Sequence, residues 1–287
     1  MATAVANPGA SITAGKSLVY VRAFAGLLRR DLYVLRREIM PSIVRIVMNP
    51  LLFLFVFTYV MPHMTGGAAA MNPTARMAAA GGGFGTVLLP GLMAVAIMFS
   101  GIAAVALPLA QEFGITREID DREMCPLPIA AVAAEKVVFS AMQGFISAAI
   151  VFPLAYFIPT PRVVVHVTSW LFLFAVLTLS SLLAGALGLT IGTSVQPKQI
   201  GLIFGVVIMP ITFLGCVYYP WAALSHLKWL QMGVLVNPIV YMSEGLRAGL
   251  TPSMGHMPEV MILVMLTFFL VVLTWAGMRG FARRVLS

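Results

Sequence analysis

The chain has 287 residues, of which 60% are hydrophobic and only 10% are charged, and its mean hydropathy is +0.98. A soluble domain carries about 25% charged residues, so this composition excludes an ordinary soluble globular protein. The apolar residues form long blocks, and a bilayer core of about 30 Å requires roughly 20 of them per helix. The sequence therefore predicts an all-α integral membrane protein with six transmembrane helices and no separate soluble domain.

The amino-terminal region precedes the first apolar block. Residues 1–16 are small and include Gly and Pro, which predicts a flexible cytoplasmic tail. Ser17 is a candidate N-cap for a helix that ends near Met40. Within 17–40, leucine and valine recur at steps of three and four, while arginines repeat on another face. This pattern predicts an amphipathic interfacial helix in the headgroup layer. The alternative is a helix packed against a protein partner.

A single six-span domain is predicted over residues 41–287. Its fifth span contains Pro210, which should break the helix. Two external connections are long, and the second, 218–258, is predicted to contain helices at 221–235 and 238–250. The predicted spans are 43–61, 86–110, 137–158, 167–191, 200–217 and 260–278.

The basic residues predict the orientation, because cytoplasmic loops are enriched in Lys and Arg. With the amino terminus inside, fourteen of the 18 basic residues fall on the cytoplasmic side and four on the outside. We therefore expect a multi-pass protein of the plasma or inner membrane with both termini cytoplasmic. The formal net charge of +8 is explained by this topology and does not require a nucleic-acid partner.

The connection 111–128 is the most informative cytoplasmic loop. It contains half of the acidic residues of the chain, whereas the other cytoplasmic segments are basic. An anionic inner leaflet would repel an acidic loop. This composition favours docking against a protein, with a solvated polar loop as the alternative.

The predicted spans carry no candidate for chemistry of their own. No Asp or Glu lies in the middle of a span, although ion-coupled carriers place ionisable groups there. The filter sequences and charged rings of channels are missing as well. Neither a catalytic residue nor a metal site is predicted, because the His and Met residues match no compact ligand motif. Transport would therefore draw its energy from a partner.

The order of these features resembles the membrane subunit of type-2 ABC exporters, the group that includes daunorubicin-resistance-type drug permeases and lipo-oligosaccharide exporters. The resemblance covers nearly the whole chain. It is carried by DREMCPLP with the following AAEK, and by GCVYYP and LVNPIVYMSEGLRAGL before the last span.

The resemblance implies a non-catalytic permease that contacts an ABC ATPase subunit, which would hold the ATP and Mg. A second permease copy, as a homodimer, would complete a path lined by spans one, two and five. The implied cargo is a lipophilic drug or a lipid or glycolipid, giving efflux or drug resistance. The residues implied to couple to the ATPase are Arg117, Glu118, Asp120, Asp121, Arg122, Glu123, Pro126 and Pro128. Those implied to shape an external gate of re-entrant helices are Gly215, Tyr219, Pro220, Asn237, Pro238, Tyr241 and Arg247.

Plainer readings stay open for parts of this assignment. Asn237 and Pro238 also fit an ordinary helix start, with Asn as the cap and Pro at the first position. Glu244 and Arg247, three residues apart, also fit a pair on a helix surface. For the whole chain, the alternative is a membrane assembly or insertion factor without a transport cycle.

Overall fold

The computed structural model describes residues 8–37, 39–56, 60, 84–112, 128–158, 163–196, 199–253 and 255–285. Within these residues the regular secondary structure is helical, which confirms the all-α expectation. The helices are α1 (Pro8–Arg37), α2 (Ile39–Phe55), α3 (Phe84–Gln111), α4 (Ile129–Phe157), α5 (Trp170–Ser194), α6 (Ile200–Phe213), α7 (Lys228–Gly233), α8 (Pro238–Leu250) and α9 (Glu259–Val285). Two 3-10 turns, Trp221–His226 and Val234–Val236, flank α7.

The predicted count of six spans is not confirmed. In the described part of the chain, α3, α4, α5 and α9 are long and apolar enough to cross a membrane. By contrast, α2 has 17 residues, and α6 is a shorter apolar helix that ends at Phe213 instead of the predicted 217. At 1.5 Å per residue, α6 is about 21 Å long, which is less than the bilayer core.

An irregular turn interrupts α6 near the proline that was predicted to break it. Residues Phe204–Ile208 form a π-helical turn, and Pro210 lies in the first turn of the regular helix that follows, Met209–Phe213. Proline has no N–H to donate to the preceding turn, and π-turns occur where the regular ladder is disturbed. The disturbance therefore lies on the amino-terminal side of Pro210.

The first helix begins earlier than predicted. It starts at Pro8, so residues 8–16 of the predicted tail are helical and Ser17 lies inside α1 instead of capping it. Pro is favoured in the first turn of a helix because its missing N–H would have no partner there. The small residues that follow Pro8 do not end the helix.

The centre of the bundle is α3. Of its most apolar 18-residue stretch, 83% is buried, compared with 17% for the corresponding stretch of α9. Small polar side chains join it to α4, since Ser140 Oγ donates to the Gly101 carbonyl at 3.0 Å. On the other side of the bundle, Thr190 Oγ1 of α5 donates to the Leu273 carbonyl of α9 at 2.9 Å. Such bonds are a usual means of holding membrane helices together.

The bundle has two chemically different ends. The start of α3 lies against the segment 214–257, because Gly91 touches Val217. The end of α3 lies near α1, because Glu112 and Asp31 both contact Lys136. At that second end Arg284 of α9 donates to the carbonyls of Gly192, Thr193 and Val195, at 2.8–3.2 Å, and so caps α5.

Candidate functional site

The candidate site is the segment 214–257, which follows α6 and leads to α9. The chain leaves α6 in a tight turn in which Cys216 has a φ of 52°, a left-handed conformation that costs a non-glycine residue energy. The Cys216 side chain is fully buried and its carbonyl accepts a hydrogen bond from Arg247 Nη2 at 3.1 Å. The surrounding contacts therefore hold this residue in a conformation that it would not adopt alone.

A glycine of the central helix makes room for this turn. A Cβ atom built on Gly91 would lie 1.9 Å from the carbonyl oxygen of Val217, so no other residue fits there without a shift of the backbone. The turn consequently packs directly on the α3 backbone. In α8, a Cβ atom built on Gly245 would lie 2.8 Å from the Val176 side chain of α5, a close but less severe approach.

Asn237 and Pro238 begin α8 as a helix start would predict. The Asn237 Oδ1 accepts from the Ile239 N–H at 3.1 Å, and Pro238 occupies the first turn. The same side chain does more than cap, because its Nδ2 donates to the Ile211 carbonyl at 2.6 Å. Asn237 therefore joins the start of α8 to the end of α6.

A buried ion pair forms the middle of the segment. Glu244 and Arg247 are both fully buried and in direct contact, so the reading of them as a surface pair is wrong. Glu244 Oε1 also accepts from the Trp221 N–H at 2.9 Å, and Oε2 accepts from the Met257 N–H at 3.3 Å. Since an unpaired charge is very costly in such a place, the pair and its backbone partners have to form together.

The other residues assigned to the gate bond within this segment or to the end of α6. Ser243 Oγ donates to the Gly215 carbonyl at 2.8 Å, and Tyr241 Oη donates to the Leu235 carbonyl at 2.9 Å. Tyr219 Oη donates to the Phe213 carbonyl at 3.3 Å. Pro220, with an extended backbone, immediately precedes the 3-10 turn at Trp221.

All seven residues assigned to the gate from sequence thus lie in one packed segment. Glu244 was not among the residues assigned to the gate, although it forms more bonds within the segment than any of those seven residues. An acid in an otherwise apolar helix, one turn before an arginine, is the signal that could have identified it.

Most residues assigned to ATPase coupling lie outside the described part of the chain, since Arg117 to Pro126 fall between residues 112 and 128. Pro128 is described and precedes the first turn of α4 with an extended backbone. Glu112 at the start of the loop and Lys136 beyond its end meet Asp31 of α1 in a second, largely buried cluster, in which Lys136 Nζ lies 3.1 Å from Glu112 Oε1 and 3.3 Å from Asp31 Oδ2. This cluster, which the sequence did not indicate, links α1 to both sides of the loop.

Two cavities lie along one face of α3. The first, of about 280 Å³, is mostly apolar and is lined by α2, α3 and α6. The second, of about 390 Å³, lies nearer the Lys136 cluster and is lined by polar as well as apolar residues of α1 to α4. Ala103 and Leu107 border both. Within the described residues, no group of three His, Cys, Asp or Glu side chains forms a metal site.

A comparison with protein families identifies the family of the chain. The family model of the ABC-2 type transporter matches residues 22–251, from α1 to the end of α8. The chain belongs to the ABC-2 type transporter family. The match includes the loop 113–127, both cavities and the α8 ion pair, and it ends just before α9.

The chain is therefore a multi-pass membrane permease of an ABC transporter. Permeases of this family are membrane components that normally partner with an ABC ATPase. Neither a curated protein nor a solved structure matches the chain. The family alone thus gives the class of the permease, and its cargo has to be argued from its own residues.

Proposed function

We propose that this ABC-2 permease moves a lipophilic drug or a lipid-type cargo out of the cell, driven by ATP that a separate ATPase subunit hydrolyses. The observation that carries this proposal is the first cavity, because a transport path has to accept its cargo. Its lining includes the large apolar side chains of Phe99, Phe204 and Ile46, and Ser100 is a polar group in the lining. Such a lining favours an apolar cargo over a highly charged solute.

The position of this cavity supports a path between two permease copies. It is lined in part by α6, whose large apolar side chains are exposed, among them Leu202 at 66%, Val206 at 63% and Phe213 at 52%. Because α6 is too short to cross a bilayer alone, contact with a second copy would cover this surface better than lipid does. The homodimer therefore belongs to the proposal, with α2, α3 and α6 facing the path.

The segment 214–257 is then the external gate, and the loop 111–128 is the ATPase contact. The gate assignment rests on the packing of the segment at one end of α3, where it covers the start of that helix. The coupling assignment rests on the acidic composition of the loop and on its attachment at the other end of α3. The enrichment of basic residues at the end of the bundle that carries this loop supports our proposal that both termini are cytoplasmic.

Filling the cavity tests the transport proposal. Gly201 lines the cavity, and a Cβ atom there would meet no atom within 4 Å. In vesicles that contain the permease and its ATPase subunit, we expect Gly201→Leu to reduce ATP-dependent export of a lipophilic dye at least about fivefold. Gly26→Leu on α1 is the matched control, because a Cβ atom there would also meet no atom within 4 Å and Gly26 neither lines the cavity nor lies on α6.

The two results distinguish the readings of the cavity. Equal export by both variants and the unaltered permease would remove the cavity from the path. Absence of ATP-dependent export in every sample, despite a stable complex with the ATPase, would favour an assembly or insertion factor.

A second experiment tests the coupling loop. We expect Asp120→Lys with Asp121→Lys to weaken capture of the ATPase subunit several-fold and to lower the ATPase rate of the complex, because charge reversal opposes docking. Glu259→Lys, which reverses the charge of an exposed acid at the start of α9, serves as the control outside the loop. Undiminished capture of the ATPase by the loop variant would contradict the assignment.

A further inference from the structure

A row of arginines on α1 faces away from the bundle. Arg22, Arg29 and Arg36 are spaced seven residues apart, which on a helix places them about 10.5 Å apart along nearly one line. All three are exposed. We name these three residues the arginine row.

The rotation of α1 that exposes the row is fixed by contacts on its opposite side. Leu27 packs on the small apolar cluster formed by α3, α4, α5 and α9. Asp31, one turn later on the same face, is paired with the buried Lys136 at 3.3 Å. Arg29 is two residues from each of them, and two residues turn a helix by about 200°, so it points away from the bundle.

The surroundings of the row fit the boundary between lipid headgroups and acyl chains. Val21 and Tyr33 are exposed on α1 at 67% and 71%, which is unfavourable in water and suits the interface. In the described part of the chain, no carboxylate forms an ion pair with a member of the row. The three positive charges of the row are therefore available to negatively charged groups at the level of the lipid headgroups.

We propose that the arginine row is a binding site for anionic phospholipids, which it recognises by the net negative charge of their headgroups. Each guanidinium stays positively charged and can donate to the oxygens of such a headgroup. A basic residue near the surface of an anionic membrane is attracted to that surface, and the three arginines of the row face the same leaflet. Because Asp31 and Lys136 fix α1 to the bundle, lipid bound at the row acts on the same helix that contacts both sides of the loop 113–127. This inference needs no particular cargo and no ATPase.

The test titrates the full-length permease in detergent with phosphatidylglycerol or phosphatidylcholine and counts bound lipids by native mass spectrometry. We expect replacement of the row by glutamine (R22Q, R29Q and R36Q together) to weaken phosphatidylglycerol binding at least about tenfold. Binding of phosphatidylcholine should stay unchanged. Replacement by lysine (R22K, R29K and R36K) should retain most of the phosphatidylglycerol affinity, since it keeps the charge.

A matched pair of variants separates the row from general charge. R22Q/R29Q and R279Q/R283Q each remove two exposed arginines, the first pair from the row and the second from α9. A clearly larger loss in the first pair supports the site. Equal losses would reduce the effect to net charge and overturn the proposal.

Two further outcomes would also overturn it. One is unchanged phosphatidylglycerol affinity in the triple glutamine variant while that variant loses its ATPase subunit, which would make the row a protein-docking surface. The other is a loss in the lysine variant as large as that in the glutamine variant.

Discussion

Two buried charge clusters lie at opposite ends of the bundle and differ in what they bind. Glu244 and Arg247 come from one helix, and Glu244 accepts main-chain N–H groups of Trp221 and Met257. Asp31, Glu112 and Lys136 come from three different helical regions and meet through their side chains. A cluster of the first kind fixes the path of irregular chain, whereas one of the second kind fixes the positions of helices relative to each other.

The difference has a physical cause. Irregular backbone leaves N–H and C=O groups without helical partners, and inside a membrane protein water does not reliably supply them. A fully buried carboxylate can accept several such N–H groups, and the arginine then compensates its charge. Regular helices need no such help, so the other cluster has side chains free to bond to each other.

The largest effect should follow removal of Glu244. Glu244→Ala leaves the charge of Arg247 buried without its carboxylate and leaves two amides without an acceptor, which should cost about 3–5 kcal/mol of stability. The thermal unfolding midpoint of the detergent-solubilised permease measures this. A fall of only a degree or two would mean that the segment 214–257 does not depend on the pair.

Removing both charges should cost less than removing one. In Glu244→Gln with Arg247→Met, no uncompensated charge is left, and the glutamine carbonyl can still accept one of the two amides. We expect the double variant to unfold at a higher temperature than Glu244→Ala, as seen generally when buried pairs are replaced together. The reverse order would show that the charges themselves hold the segment.

The Lys136 cluster should be the less sensitive of the two. Lys136→Met removes the cation between two carboxylates, but Asp31 is 12% exposed at its side chain and can be partly hydrated. We expect a loss of about 2 kcal/mol, read from the same unfolding midpoint. Lys136→Arg, which keeps the charge, is the control. A loss as large as that for Glu244→Ala would make the two clusters equivalent.

The smallest effects should come from Asn237, where two hydrogen bonds can be separated. Asn237→Asp keeps the acceptor that caps α8 and loses the donor to Ile211, so it should cost about 1 kcal/mol. Asn237→Ala loses both and should cost about 2 kcal/mol. If the two variants unfold at the same temperature, the cap contributes nothing measurable, and if Asn237→Asp unfolds with the unaltered permease, the link to α6 contributes nothing measurable.

The sequence predicted several local features well, because they depend on neighbouring residues. The bounds of α8 are those expected from its Asn-Pro start, and α3 differs from its predicted span by only a few residues. The predicted end of α6 was wrong, because an apolar run was interpreted as a continuous helix. The chain instead turns at Gly215 and Cys216, and this turn packs on Gly91. Hydropathy measures preference for a membrane and does not register such a close contact.

The sequence by itself determined that this chain is an all-helical membrane protein, and its motifs already pointed to the family that residues 22–251 match. Composition and short motifs are sufficient for this, because bilayer insertion depends on apolar length and each motif is contiguous. The tertiary structure decided which charges are buried together. Lys136 is 105 residues from Asp31 and Cys216 is 31 residues from Arg247, and no periodicity spans such distances. Only the packing of α3 against its neighbours brings these groups within hydrogen-bonding distance and turns the arginines of α1 away from the bundle.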